Sequence, residues 1–247
     1  MSIRLLTYNI QRGGIGRVDH IAGVINGCQP DVVLLQEATD LETVKQLASL
    51  THMAASGSFT RQSLGYLSRR PVEATWHRPR VSRHAFIEIV TRDDNTRVFG
   101  VHLSAIHSSW TEQRRVFELR ALLRSIAEHQ AGFHVLAGDF NTLAPNEPLQ
   151  VSRLPLRLRP LVWLGGGRIR WRTIQTVLDA GYADAYRLFH PDSAGLTMPT
   201  WDPHVRLDYV FVPDGFANRV VHCDVVASAE AAAASDHFPV VADLLTA

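Results

Sequence analysis

Short runs of apolar residues, many of them β-branched, recur along the chain, and each ends in polar or turn residues. That pattern predicts buried strands at residues 4–9, 31–36, 64–68, 85–91, 97–102, 134–137, 207–212 and 220–227, with 240–245 closing the chain. Four stretches between them carry apolar residues at helical spacing. Residues 18–26 precede the turn Gln29-Pro30-Asp31, and residues 40–50 carry Leu41, Val44, Leu47 and Ala48. Residues 111–129 form the clearest pattern, with Val116, Leu119, Leu122, Leu123 and Ile126 on one face and charges opposite. Residues 172–180 end at Gly181, a natural C-cap. Strands fall in adjacent pairs at 64–68, 85–91 and 97–102 and alternate with helices elsewhere. The mixture predicts an α/β chain with mixed or largely antiparallel sheets and helices outside.

Composition narrows the class. The 247 residues are enough for one large domain, expected over 1–247 because no linker, repeat or charged block divides them. Hydrophobic residues make up 46% and charged residues 20%, as in a globular protein, and a formal net charge of +1 excludes a chain-wide polycation. No run reaches the roughly 18 apolar residues of a membrane span, and the first residues read as a strand rather than a leader. Cys28 and Cys223 lie far apart without metal-ligand spacing. A reducing cytoplasm is therefore expected, with a processed secreted chain as the alternative. Gly165-Gly166-Gly167 lacks the Lys-Ser/Thr that completes a phosphate loop and reads as a flexible turn.

The chemistry-bearing residues share one placement, at or beside the ends of the predicted strands. Asn9 ends the first strand, Glu37 follows the second, His102 ends Val98-Phe99-Gly100-Val101, and Asp139 and Asn141 follow Val135-Leu136-Ala137-Gly138. Asp208 opens a strand, and Asp236-His237 precedes the last one. Each has a plain structural explanation alone, as a turn, cap or strand-end ion pair. Together they suit one reaction. Carboxylates and an amide oxygen are hard ligands for Mg2+ or Mn2+, a cation can neutralise phosphate charge, and histidines move protons or donate to phosphate oxygens. No cysteine nucleophile or Gly-x-Ser-x-Gly elbow competes with that reading.

Six pieces carry a resemblance: Thr7-Tyr8-Asn9-Ile10, Leu35-Gln36-Glu37, Gly100-Val101-His102-Leu103, Gly138-Asp139-Phe140-Asn141, Arg206-Leu207-Asp208-Tyr209-Val210-Phe211 and Ser235-Asp236-His237. In this order, and spanning the chain, they resemble the endonuclease/exonuclease/phosphatase superfamily. It includes DNase I, exonuclease III-type repair nucleases, inositol-polyphosphate 5-phosphatases and neutral sphingomyelinases. The resemblance implies a four-layer α/β sandwich, two packed sheets flanked by helices with the site at one edge. It implies that Glu37 is the principal metal ligand with Asn9 beside it, and that Asp236 lies near the metal or a second one. Asp139 would orient or deprotonate the attacking water, Asn141 would bind the phosphate, and Asp208 would hold His237. His102 would contact a phosphate oxygen or assist the leaving group.

The chain departs from the family in places. The strand 64–68 offers His102 no carboxylate partner, leaving Glu73 and Glu88 as candidates by proximity in sequence. Asn9 is followed by Ile10-Gln11-Arg12-Gly13-Gly14 rather than Gly and an Arg, which argues against abasic-site repair. Residues 153–172 hold six arginines (153, 157, 159, 168, 170 and 172), two tryptophans and no acid. They read equally as an ordinary loop and as a basic arm for a nucleic acid backbone or a lipid headgroup surface. Arg170 in this arm is a candidate substrate contact. Arg114 and Arg115, at the start of the helix after His102, read as phosphate contacts or equally as a solvated helix face, and Thr197 and Trp201, in the loop before the Asp208 strand, as walls of the site. The leading expectation is a nuclease-like, divalent-metal-dependent phosphodiesterase. The alternatives are a phosphomonoesterase or phospholipase-type enzyme acting on a sugar, inositol or lipid phosphate, and a catalytically silent phosphate-binding module.

Overall fold

The computed structural model describes residues 1–79, 84–106, 108–147, 149–164 and 169–246. In chain order its first half contains β1 (Ser2–Asn9), α1 (Val18–Cys28), β2 (Val32–Gln36), α2 (Leu41–Leu50), β3 (Ala55–Phe59), β4 (Leu64–Ser68), β5 (Val72–His77), β6 (Phe86–Thr91) and β7 (Arg97–His102). There follow α3 (Ser109–Ser125), β8 (His134–Asp139), α4 (Arg159–Leu164), α5 (Thr173–Asp179), β9 (Tyr182–Asp184) and α6 (Ala185–Phe189). The chain closes with β10 (Asp208–Pro213), β11 (Val220–Val225), α7 (Ala229–Ala234) and β12 (Val240–Leu245). The strands form two six-stranded sheets, ordered β11-β12-β1-β2-β4-β3 and β5-β6-β7-β8-β10-β9.

The inner strands are apolar on both faces because both faces are covered. In β1, Leu5 enters the core between the sheets and Leu6 the core beneath α1, α2 and α7. In the second sheet Val98, Val135 and Val210 face the first sheet, while Phe99, Leu136 and Phe211 pack beneath α3 and α5. Helix, sheet, sheet, helix: this is the four-layer α/β sandwich that the resemblance implies. Asp40 caps α2 by accepting from the Thr43 amide, and Ser108 with Thr111 forms a capping box on α3. Gly181, with φ +82°, follows α5 and donates to Leu178 O, as a C-cap glycine should.

The sequence pattern missed β3, β5 and β9, together with the short helices α4, α6 and α7. β3 and β5 are a polar edge strand (Ala-Ser-Gly-Ser-Phe) and one with alternate exposure; neither presents a continuous apolar run. The predicted helix 111–129 is α3 over Ser109–Ser125 followed by a separate tight turn. The glycine run at 165–167 lies outside the described residues. No described helix is long and apolar enough to cross a membrane.

Each sheet contains one parallel pair in its interior, β1–β2 in the first and β7–β8 in the second. The other pairings are antiparallel. The polar residues ending these parallel strands meet at one edge of the sandwich.

Candidate active site

Register assembles half of the site. His102 pairs with Asp139 across β7–β8, and Asp139 pairs with Asp208 across β8–β10, so three side chains distant in sequence stand in one row of one sheet. The first sheet supplies Asn9, whose Nδ2 donates to Asp139 Oδ2 at 3.0 Å and to Glu37 Oε1 at 3.5 Å. That contact crosses from one sheet to the other.

Backbone shape places the rest. Gly138 has φ +143°, and a Cβ there would sit 2.0 Å from the Val101 carbonyl oxygen, so only glycine lets β8 run this close to β7 before Asp139. Glu37 and Asn141 both take left-handed backbone conformations, with φ of 56° and 53°, which side-chain-bearing residues adopt rarely, asparagine more readily than glutamate. The Glu37 carbonyl accepts from the amides of Gly13 and Thr39, and its Oε2 accepts from the Arg12 amide at 2.6 Å. Asn141 donates from Nδ2 to Leu103 O at 3.0 Å and to Asp139 Oδ2 at 3.1 Å, while its amide donates to Asp139 Oδ1 at 2.8 Å.

His237 Nδ1 lies 2.8 Å from Asp208 Oδ2, both residues buried. Burial disfavours the imidazolium, but the charge and hydrogen bond of Asp208, with Asp139 and Asp236 beyond, push the His237 pKa up to about 10. Burial, reinforced by the charge of Asp208, pushes Asp139 up to about 6. His102 Nε2 stands 3.8 Å from Asp139 Oδ2, and its buried Nδ1 has no partner among the described residues. Neither suggested carboxylate serves it: Glu88 is engaged by His77 and Arg97, and Glu73 is exposed on β5. Asp236 is half-buried beside His237, and its carbonyl accepts from the Thr200 amide at 3.0 Å.

The donor set suits a hard cation. Asp139, Asp208 and His237 bring potential ligand atoms within 4.8 Å of one another, and Asp208 Oδ1 is buried with no hydrogen-bond partner among the described residues. Two more carboxylates, Glu37 and Asp236, stand at the edge. An uncompensated buried oxygen within such a carboxylate group is what a divalent ion would satisfy.

The candidate substrate contacts lie farther out. Arg114 donates to Glu118 Oε1 at 3.1 Å. Arg170 is exposed on a groove of about 660 Å³ between α3 and α5, which it shares with Arg120 and Arg172. Trp201 is exposed, one residue beyond the Thr200 that bonds Asp236. Thr197 is fully buried and accepts from the Leu207 amide, so it pins the loop instead of walling the site.

Arg115 overturns its expectation. It is fully buried, donates to Glu112 Oε2 at 2.9 Å and to the carbonyls of Ser104 and Ile106, and faces no solvent. Glu112 also accepts from Thr142 Oγ1 and from the amides of Arg172 and Thr173. The charge of Arg115 and these donors outweigh burial and hold Glu112 below the usual carboxylate range. This brace joins the loops after β7 and β8 to the start of α5. The sequence carried a signal for it, because residue 115 stands four and seven positions before Leu119 and Leu122 on the apolar face of the helix. Arg17 was missed as well; it donates to Ala234 O, Ile10 O and Gln11 O, and Ser235 Oγ donates to Asn9 O at 2.6 Å.

Comparison with solved structures finds the same fold along nearly the whole chain. An AP endonuclease from Archaeoglobus fulgidus aligns with a TM-score of 0.74 at 18% identity, over 97% of this chain and 98% of that one. A 3' phosphatase from Neisseria, NExo (D146N) bound to product DNA hairpin, gives 0.73 at 19%, over 98% and 99%. An endonuclease/exonuclease/phosphatase from Beutenbergia cavernae gives 0.72 at 22%, over 98% and 71%. No curated protein matches. The family model described as Endonuclease/Exonuclease/phosphatase family matches residues 6–237, from within β1 to the histidine held by Asp208, and the chain belongs to that family.

Proposed function

We propose that this chain is a divalent-metal-dependent phosphodiesterase of nuclease-like type that hydrolyses P–O bonds by in-line attack of water, with residues 1–247 acting as one unit. The observation that carries the reading is the buried row His102–Asp139–Asp208 with His237 locked onto Asp208. Asp139, its proton affinity raised by burial, is suited to orient a water and accept its proton near neutral pH. Asn141 and His102 are placed to contact phosphate oxygens. His237, charged and fixed through Nδ1, presents Nε2 to the phosphate, where it stabilises developing negative charge.

Glu37 and Asp236, with the Asn9 amide oxygen and the unpartnered Asp208 Oδ1, are the residues that would hold Mg2+ or Mn2+, while protonated His237 has no lone pair to offer it. Asn9 would have to turn its amide, since Nδ2 rather than the oxygen now faces Glu37 and Asp139. The ion would supply charge neutralisation on the phosphate. Cys28 and Cys223 are unpaired, which suits a cytoplasmic location.

The test is release of nitrophenol from bis- and mono-nitrophenyl phosphate with Mg2+ or Mn2+, with and without chelator. Metal-dependent turnover of the diester is expected, and Asp139→Ala and His237→Ala should each abolish it while the fold survives. Retained activity in both variants would reject the assignment. Faster turnover of the monoester would favour a phosphomonoesterase, and metal-independent binding without turnover of any phosphoester a silent module. A second, phospholipase-type reading is favoured by Leu156, Trp163 and Leu164, large apolar side chains exposed on the segment that follows β8.

A further inference from the structure

The loops at the site end of the sandwich hold large apolar side chains out in solvent. Leu156 and Trp163 are 75% exposed, Leu164 86% and Trp201 74%. Ile15, between β1 and α1, and Trp110, in the first turn of α3, are exposed too. Leu156, Trp163 and Leu164 line one apolar surface with Arg159 and Pro160, and the Arg153–Asp202 ion pair ties the Trp201 loop to the same segment, so the two form one rim.

The rim is built into the fold. Within α4, Val162 is buried while Trp163 and Leu164 point out, and Leu154 anchors the preceding turn. Arg159 donates to Leu154 O at 2.9 Å and to Ser152 O at 2.6 Å, holding α4 against that turn. Arg153 reaches Asp202 at 3.3 Å, beside Trp201. Leu149 and Met198 pack on a small cluster of Leu143, Val205 and Leu207, which fastens both loops to β10 and so to Asp208.

Charge accompanies the apolar groups. Residues 148–178 contain six arginines and no acid. Of these arginines, Arg157 is exposed next to Leu156, while Arg170 and Arg172 are exposed in the groove between α3 and α5; none of the three side chains makes an ion pair among the described residues. A nucleic acid strand would use the arginines and stack bases on tryptophan, but it has no use for exposed leucines. A bilayer interface uses all three: leucine at the acyl boundary, tryptophan at headgroup level and arginine against anionic lipid.

We propose that this rim docks the protein on an anionic phospholipid bilayer, so that the phosphodiester offered to Asp139 and His237 is that of a lipid headgroup. The identity of the ester rests on the phosphodiesterase reading; the docking does not.

The full chain is sedimented with vesicles of phosphatidylcholine alone, or of phosphatidylcholine mixed with phosphatidylglycerol. Binding to the mixed vesicles is expected, with a blue shift of tryptophan emission, and weaker binding to phosphatidylcholine alone. The double variant Trp163→Ser/Leu164→Ser alters only exposed side chains and should bind mixed vesicles about tenfold or more weakly. Arg157→Glu should weaken binding to the mixed vesicles and leave that to phosphatidylcholine unchanged. Absence of wild-type binding, or undiminished binding by the double variant, overturns the docking. So does release of bound protein from vesicles by single-stranded DNA, or conversion of a wild-type dimer to monomer in the variant, which would make the rim a self-association surface. Soluble bis-nitrophenyl phosphate, assayed in the same samples, should be turned over equally by wild type and double variant. Vesicle binding without any soluble turnover overturns the lipid-substrate half alone.

Discussion

His237 Nδ1 and Asp208 Oδ2 stand 2.8 Å apart in a buried pair, so the imidazole can offer only Nε2 to a molecule entering the site. Asp208→Asn keeps the size of the side chain but removes the charge that sustains the imidazolium. Turnover of a phosphodiester is expected to fall by roughly 10²–10⁴-fold with the melting transition still cooperative. A variant with wild-type kcat would show that the pair is only structural.

The same pair sets a pH dependence of stability in metal-free protein. His237 is raised from its ordinary 6.5 to about 10, so the folded state binds that proton more tightly than the unfolded chain. The resulting stabilisation is complete below pH 6.5 and is lost as pH rises through about 10. Asp139, raised from 3.8 to about 6, adds a lower window of the same sign, lost as pH rises through about 6. Urea midpoints measured in chelator should decline across both windows, and His237→Asn should flatten the upper decline. Parallel curves for the two proteins would contradict this account.

The brace under the site should resist being halved. Glu112→Ala leaves Arg115 charged and buried, and Arg115→Ala does the same to Glu112; each is expected to cost about 3–5 kcal/mol. Replacing both with apolar residues of similar volume should recover much of the loss. Chemical denaturation of the two single variants and the double variant measures this. Activity should drop in the singles too, because Thr142, which Glu112 anchors at 2.7 Å, is next to Asn141.

Gly138→Ala tests the close approach of β8 to β7. Its Cβ would lie 2.0 Å from the Val101 carbonyl oxygen, and rigid backbone cannot yield as a side chain does. A loss of about 3 kcal/mol or more is expected, with failure to accumulate folded protein as the extreme outcome. A melting temperature within error of wild type would mean that the two strands separate without cost.

The inner strands were legible because burial on both faces writes a continuous apolar run, as in the Val32-Val33-Leu34-Leu35 of β2. The edge strands β3 and β5 were not, since solvent on one side permits polar residues and erases that run. The site was legible as six motifs, and the second sheet's register explains why residues so far apart belong together. Nothing local announces that Asp208 will lie opposite Asp139, because that pairing joins strands separated by the whole 140–207 excursion. The left-handed backbone at Glu37 and Asn141 was hidden as well, neither being glycine. Arg115 was misread because charge was weighed ahead of its place on the apolar face.

The hydrogen bond from Asn9 to Asp139 joins the end of a parallel pair in one sheet to the end of a parallel pair in the other. The candidate cleft is therefore a seam, and its width is set by how the two sheets seat on each other. Leu5, Val32, Val98 and Val135 lie in the layer between them, well away from the chemistry. They act as shims: thinning one is expected to alter the gap between Asn9 and Asp139 as well as the packing. In this architecture the middle of the sandwich sets the tolerance to which its edge is machined.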